Sequence, residues 1–287
     1  MNVFTVIGVL FVLFVIIRLL ISIIPMFLPV QDLMAKYRSK FAIVTGGTDG
    51  IGLSIVKKLA KQGFSIYVIG LDTKKVMIDD LPSGSVIDNS DLSSAESGIR
   101  ICKWIEECKP SFLVHAAGLC IPSKFDMIDE PNKYIDAYIS SMVQITQTFL
   151  KYRKREGGIV FFSSQVALWS NPFASLYAAT KAFTHQFARS IAIENPNIET
   201  LVISPGAVNG TSFFRHFPYY WYFYLIRLIG QDCETVSNLV FKSLGKVSSV
   251  DTGILTYVTR IMSGLVDSNI IDKLASIAAK PLQKYFN

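Results

Sequence analysis

From Phe41 onward the chain alternates between two rhythms. Short runs of continuous apolar, β-branched character are FAIVT (41–45), SIYVIG (65–70), SFLVHAAG (111–118), GIVFFSS (158–164) and ETLVISPG (199–206). Between them lie stretches in which apolar residues recur every three or four positions, the period of a helix with one buried face. In IGLSIVKKLAKQG (51–63) the recurring residues are Ile51, Ile55 and Leu59, and Gly63 is placed to cap the helix. A weak strand is predicted near Val86, with helices over Ile99–Cys108, within Asn132–Arg155, over about Ala174–Ile193 and from near Glu234. Over Ser268–Lys280, Ile270, Ile271, Leu274 and Ile277 share one helical face. Strands that are apolar on both faces and separated by helices require a parallel sheet covered on both sides. The fold class is therefore α/β, a doubly wound parallel sheet of the Rossmann-like kind.

The first thirty residues break this rhythm. VFTVIGVLFVLFVIIRLLISIIPMFLPV (3–30) has no polar face and a single charge, Arg18. About 20 apolar residues cross a bilayer core, so an N-terminal transmembrane helix is expected. A cleavable signal peptide fits less well, because no basic segment precedes the run and no small-residue cleavage site follows it. Lys36, Arg38 and Lys40 come soon after it, which places the remaining body on the cytosolic side. Pro25 and Pro29 mark the exit. This gives residues 1–35 as anchor and exit segment and 36–287 as one domain with a C-terminal extension.

Composition sharpens the picture only in part. The chain has 287 residues, 51% hydrophobic and 17% charged, with a formal net charge of +6. The excess of apolar residues sits largely in the N-terminal run and in FFRHFPYYWYFY (213–224). The densest basic patch, KYRKR (151–155), reads as a solvated helix end, and no nucleic-acid partner is expected. Cys102, Cys108, Cys120 and Cys233 lack metal-ligand spacing and read as free thiols; no metal site is expected.

Two constellations carry chemistry. VTGGTDGIG (44–52) follows the first strand and opens the first helix. Gly46 and Gly50 allow backbone to approach a diphosphate, Gly52 allows the helix to pack near the strand, and the helix N-terminus offers unpaired N–H groups to phosphate. In LYAATKAF, Tyr177 and Lys181 are four apart and share a helix face. An ammonium beside a phenol would bring its pKa down toward the working range of an acid–base catalyst.

The TGxxxGxG form of the turn, with Ser164 thirteen residues before Tyr177, resembles the short-chain dehydrogenase/reductase family; the resemblance runs from Phe41 to roughly Thr211. It implies a nicotinamide dinucleotide held by Gly46, Thr48, Asp49, Gly50 and Ile51, with Asp91 on the adenine. It also places Ala117 and Gly118 (in HAAG, where the family usually has NNAG), Tyr177, Lys181 and the Pro205–Gly206 turn along the cofactor. Ser164, Tyr177 and Lys181 become the catalytic set for reducing a ketone. Leu71, Asp72, Lys74 and Lys75 follow the second strand, and the two lysines favour NADPH over NADH. The family asparagine of the long helix is missing; Tyr138 or Ser140 stands nearest. In the resemblance, Ala207–Gly230 is the substrate loop, and its aromatic run suits a lipid ligand or a membrane interface.

The anchor, the TDGIG turn and TGILTYV are similar to 17β-hydroxysteroid and very-long-chain 3-oxoacyl-CoA reductases of the endoplasmic reticulum. AAGLCIPSKF and VFFSSQ are similar to 3-ketosphinganine reductases. The expected function is reduction of a lipid ketone at the endoplasmic-reticulum membrane with the catalytic body facing the cytosol; 3-ketosphinganine reduction is the alternative. A non-catalytic dinucleotide-binding membrane protein is the alternative of another class. A homodimer is compatible with any of these.

Overall fold

The computed structural model describes residues 2–286 except 154, 155, 213, 214, 216 and 218–220; side chains at 18, 19, 21, 22 and 221–223 also lie outside the described set. In chain order the elements begin with α1 (Val3–Phe27), α2 (Leu33–Tyr37), β1 (Phe41–Thr45), α3 (Gly50–Lys61), β2 (Ser65–Gly70), β3 (Val86–Asn89) and α4 (Ala95–Cys108). Then come β4 (Phe112–His115), α5 (Pro131–Ile135), α6 (Ser141–Tyr152), β5 (Gly158–Phe162), α7 (Ser175–Glu194), β6 (Glu199–Pro205) and β7 (Val208–Asn209). The last are α8 (Trp221–Leu228), β8 (Gln231–Asp232), α9 (Cys233–Ser243), β9 (Ser249–Thr252), α10 (Ile254–Leu265) and α11 (Ser268–Gln283).

The main sheet has the order β3-β2-β1-β4-β5-β6-β9, and every neighbouring pair is parallel. Its strands are apolar on both faces because helices cover both. Along β1, Ala42 and Val44 point to one core and Ile43 to the other; along β5, Val160 and Phe162 point to the first and Ile159 and Phe161 to the second. The first core is closed by Ile55 and Leu59 of α3, Val240 and Phe241 of α9, and Leu33 and Tyr37 of α2. The second is closed by Ile101 and Ile105 of α4, Met142, Ile145 and Phe149 of α6, and Ala188 of α7. The strand order reverses between β1 and β4. In such sheets the crevice beyond the strand ends at that reversal is where ligands bind.

Among the described residues no helix is long and apolar enough to cross a membrane. The expected transmembrane helix is therefore not a feature of the described fold. α1 carries Arg18 past its middle and Pro25 in its last turn, and a charge inside the span is costly in hydrocarbon. The side chains from Val3 to Phe14 are all exposed. The other end of α1 is docked: Pro25 is buried, Met26 packs on the first core, and Lys242 Nζ donates to the Met26 carbonyl at 2.7 Å. The boundary drawn at residue 36 falls inside α2. There Leu33 is fully buried, and Tyr37 Oη donates to Glu199 Oε2 at 2.5 Å, beside Lys36 Nζ at 2.7 Å from the same oxygen.

The helix expected within Asn132–Arg155 is present but interrupted by a π turn at Asp136–Ser140 between α5 and α6. Such insertions are frequent at functional sites. Of the aromatic run 213–224, most side chains lie outside the described residues. Tyr224 is exposed and Phe217 lines the cavity described below. Lys154 and Arg155 of the basic patch also lie outside them.

Candidate active site

One cavity of about 1020 Å³ opens at the strand reversal and contains the predicted residues together: Gly46, Thr48, Asp49, Gly50, Ile51, Asp91, Ala117, Gly118, Ser164, Tyr177, Lys181, Pro205 and Gly206. Each arrives there for a local reason. The glycine turn leaves β1 at Gly46, whose φ of +67° places it in the left-handed region. A Cβ at Gly46 would stand 2.6 Å from the Cα and N of Ala117, so the loops after β1 and β4 meet backbone to backbone. Asp91 turns the chain after β3, accepting from the Ser93 N–H at 2.9 Å. Pro205 closes β6, and a Cβ at Gly206 would press on Thr256 Oγ1 at 2.9 Å.

Asp49 begins α3 but makes no side-chain cap to it. Its carboxylate reaches across the cleft instead. Oδ2 accepts from the Ser212 N–H at 3.0 Å and Ser212 Oγ at 2.6 Å, and Oδ1 pairs with Lys75. Burial works against this charge, but the Lys75 and Ser212 contacts outweigh it and hold the carboxyl below its usual range. Lys75 is thus engaged with Asp49, a pairing that the sequence reading, which left it facing a phosphate, did not contain. Ser212 was also missed: a contact spanning 163 positions leaves no periodic signal.

Ser164 follows β5 and Tyr177 lies in the first turns of α7. The Tyr177 hydroxyl is hydrogen-bonded to Ser164. Lys181, one turn on and buried, donates from Nζ to the Phe162 carbonyl at 2.9 Å and lies 5.6 Å from the centre of the Tyr177 ring. Burial, with Cys120 adding to it, pushes the Tyr177 phenol above its ordinary value, against the Ser164 hydrogen bond. Burial thus outweighs the lowering expected from Lys181, whose Nζ also donates to a main-chain carbonyl. The phenol keeps its proton, as a proton donor must. Burial lowers Lys181 itself to about 8.

His115 does not line the main cavity. It is buried at the end of β4, with Nε2 at 3.0 Å from Thr146 Oγ1 and its ring stacked on Phe161. Burial, and then the Lys181 charge, lower it to about 3, so the imidazole is neutral. It borders a second cavity of about 20 Å³ behind Lys181, shared with Tyr138, Ser141 and Thr180. Of the two candidates for the missing asparagine's place, Tyr138 faces both cavities. Ser140 turns outward and bonds Asp136 at 3.0 Å.

The buried lysine makes a pH dependence. Lys181 is charged below about pH 8 and loses its proton above it, while the Tyr177 phenol stays protonated throughout. The kcat/KM for ketone reduction is expected to fall as pH rises through about 8. A profile that stays level well past that point would show that the lysine charge is not needed.

Toward its far end the cavity becomes apolar, walled by Trp169, Phe173, Met262, Val266, Leu274 and Phe286. Phe286 stacks on Phe173 with centroids 4.7 Å apart, and Ser170 Oγ donates to Asp272 at 2.7 Å, which ties α11 across the opening. The sequence reading had not placed α10 or α11 at the cavity.

Residues 40–218, more than half of the chain, match the family described as short chain dehydrogenase. The human 17-beta-hydroxysteroid dehydrogenase type 3 is 30% identical over 184 residues, 59% of each chain. A short chain dehydrogenase of Pseudocercospora fijiensis is 29% identical over 195 residues, and the matched stretch spans 62% of that protein. The 7beta-hydroxysteroid dehydrogenase of Mediterraneibacter gnavus is 26% identical over 237 residues, 78% of this chain and 89% of the relative. A solved structure of a 7beta-hydroxysteroid dehydrogenase superposes with a TM-score of 0.75 over 86% of this chain and all of the other; at 18% identity it speaks to the fold alone. A serine dehydrogenase complexed with NADP+ gives a TM-score of 0.64 at 22% identity, over 75% of this chain and 95% of the other. The glycine turn, the Ser164–Tyr177–Lys181 cluster and the seven-stranded parallel sheet thus have one common origin: the chain belongs to the short-chain dehydrogenase/reductase family of NAD(P)-dependent oxidoreductases.

Proposed function

We propose that this protein is an NADPH-dependent reductase of lipid ketones, anchored to a membrane by α1, with a very-long-chain 3-oxoacyl-CoA or a steroid-like ketone as substrate. One observation carries the reading: a single cavity runs from the glycine turn, past Tyr177 and Ser164, into an apolar chamber. A chamber walled by aromatic and aliphatic side chains offers little to a polar substrate and much to a lipid. The names of relatives that act on hydroxysteroids support the same substrate class.

The residues present fit a nicotinamide dinucleotide. Gly46 and Gly118 line the cavity, and a Cβ at either would collide with the Ala117 main chain (2.6 Å) or Lys181 Nζ (2.9 Å), so only glycine lets these loops close into the cradle. The diphosphate would lie on the turn of Gly46, Thr48, Asp49, Gly50 and Ile51 at the start of α3, with Asp91 toward the adenine. Bound there, the dinucleotide supplies the hydride for the carbonyl carbon. Every other part of the chemistry falls to the chain. Ser164 and Tyr177 present adjacent hydroxyls to the carbonyl oxygen, where negative charge develops. Tyr177 gives its proton to that oxygen and Ser164 steadies it by a hydrogen bond. Lys181, held by the Phe162 carbonyl, would orient the ribose with its remaining N–H groups. The apolar walls exclude water from the ketone.

The preference for NADPH rests on Lys74, which follows the rim residues Leu71 and Asp72, since Lys75 is engaged by Asp49. The charge-reversing variant Lys74→Glu is expected to cut kcat/KM with NADPH by about tenfold or more, and with NADH far less. Equal losses with both cofactors would remove the preference. The function is tested by a panel of 3-oxoacyl-CoA, steroid ketone and 3-ketosphinganine, each with NADPH and with NADH, read as loss of the reduced cofactor's absorbance. Turnover of 3-ketosphinganine alone would select the alternative substrate. Dinucleotide binding without turnover of any ketone would select a non-catalytic role.

The anchor is supported by the N-terminal half of α1, where Val3–Phe14 is exposed and apolar but for Thr5 and can enter a bilayer without crossing it. Lys36, Arg38 and Lys40 beyond it favour a body on the cytosolic side, and the resemblance to reductases of the endoplasmic reticulum suggests that membrane. Protease protection of the full chain in microsomes checks the orientation, and a protected body would overturn it.

A further inference from the structure

Two helices of the C-terminal third carry apolar strips that nothing among the described residues covers. On α10, Ile254, Val258 and Leu265 follow one face and are 63%, 51% and 48% exposed. On α11, Ile270, Leu274 and Ile277 do the same at 54%, 57% and 54%. Single exposed aliphatic residues are ordinary, but an unbroken strip on each of two successive helices is of the kind that marks a contact.

The patch communicates with the cavity. Met262 and Leu274 both line the cavity and stand exposed on the outer surface, at 38% and 57%. Each of these apolar side chains thus reaches from the chamber to the outer surface. A charge pattern runs beside it. Lys273, Lys280 and Lys284 of the α11 segment are exposed and, at 3.6 residues per turn, fall within about 40° of one another along the edge next to Ile277. Of the acids nearby, Asp251 is neutralised by Arg260 at 2.8 Å, while Asp272, bonded to Ser170, and Asp267, bonded to the Asn269 N–H, keep their charges against the three lysines. An apolar strip bordered by lysines is complementary to lipid chains with anionic headgroups above them.

We infer that the outer faces of α10 and α11 lie against an anionic lipid surface, and that the wall carrying Met262 and Leu274 is a lateral door through which a long-chain ketone enters the cavity from the lipid. The door rests on reading the cavity as the ketone chamber; the docking does not.

The test uses the full chain with Cys102, Cys108 and Cys233 changed to serine and an environment-sensitive fluorophore on Ile277→Cys or, separately, on Ser276→Cys. Vesicles contain phosphatidylcholine and phosphatidylserine. The label at 277 is expected to shift to the blue and to be quenched by brominated acyl chains, while the label at 276, on the polar side, stays in water. A label at 277 that remains in water on vesicle-bound protein overturns the docking. So does a blue shift that needs no vesicles and grows with protein concentration, since a second copy would then occupy the face. For the door, Lys273→Glu/Lys280→Glu is expected to slow reduction of a vesicle-borne long-chain ketone by about tenfold or more while leaving a short water-soluble ketone within about twofold. Equal effects on both ketones overturn it. A chain inactive on both ketones whose label still enters lipid would remove the reductase reading and leave the docking in place.

Discussion

Tyr177→Phe is expected to slow ketone reduction by about 10³-fold, within the range of about 10² to 10⁴ for a lost general acid, while dinucleotide affinity changes by no more than about twofold. The argument comes from what the substitution leaves alone. The ring stays, so the packing of α7 over the cavity stays. The hydroxyl goes, and with it the group that is hydrogen-bonded to Ser164 and holds its proton because burial opposes the phenolate. Ser164 would lose one partner, at a cost of about 1 kcal/mol, too little to unfold the domain. The loss should therefore appear in single-turnover reduction and not in the melting temperature or in dinucleotide titration. If the rate falls by less than about tenfold, the proton comes from elsewhere, and the small cavity behind Lys181, bordered by Ser141, Thr180 and neutral His115, becomes the first place to look.

How much of this was legible in the chain depends on how local each signal is. The strands β1, β2, β4, β5 and β6 were plain because a strand buried on both faces is an unbroken apolar run. The cradle and Tyr177 with Lys181 were plain because their chemistry fixes residue spacing within one turn of helix. The seventh strand was not: Ser249–Thr252 reads SVDT, alternately half-buried and buried at the sheet edge, and its pairing with β6 is what makes it a strand. The five residues of α2 are too few for a period, and their helix exists because Leu33 and Tyr37 fill the core. The π turn at Asp136–Ser140 carries no pattern of its own.

At the site the same rule separates what was foreseen from what was not. Tyr177 and Lys181 share a helix face as their spacing implied, and Ser164, which only the resemblance supplied, lies beside Tyr177. Spacing could not say that Lys181 Nζ is held by the Phe162 carbonyl, or that burial outweighs the lysine at the phenol. Nor could it show Asp49 gripped by Ser212 and Lys75, which joins the cofactor turn to the segment after β6. The apolar character of α11 was visible as a period, but only the fold shows that one flank of that stripe lines the cavity while the other faces outward.

Gly46→Val is expected to reduce dinucleotide binding by about 100-fold or more and to lower the melting temperature by about 5–20 °C, because it fails on two independent counts. A φ of +67° costs a β-branched residue about 1–3 kcal/mol. The new Cβ would stand 2.6 Å from Ala117 N and Cα and 2.8 Å from the Ala116 carbonyl carbon, all main-chain atoms that cannot rotate aside. Relief requires moving the loop after β1 away from the loop after β4, and overpacking of that kind costs about 1–3 kcal/mol more. A domain with a stability of about 5–15 kcal/mol survives this, so the variant can be purified and titrated. The displacement opens the crevice at the strand reversal, where the diphosphate must lie against the turn. Gly264→Ala is the control: a Cβ there meets nothing within 4 Å, and in the last turn of α10 it should add at most about 0.5–1 kcal/mol of stability without touching binding. If Gly46→Val binds NADPH as tightly as the unchanged chain, the glycine turn is not the phosphate cradle, and the catalytic hydroxyls have no cofactor to work beside.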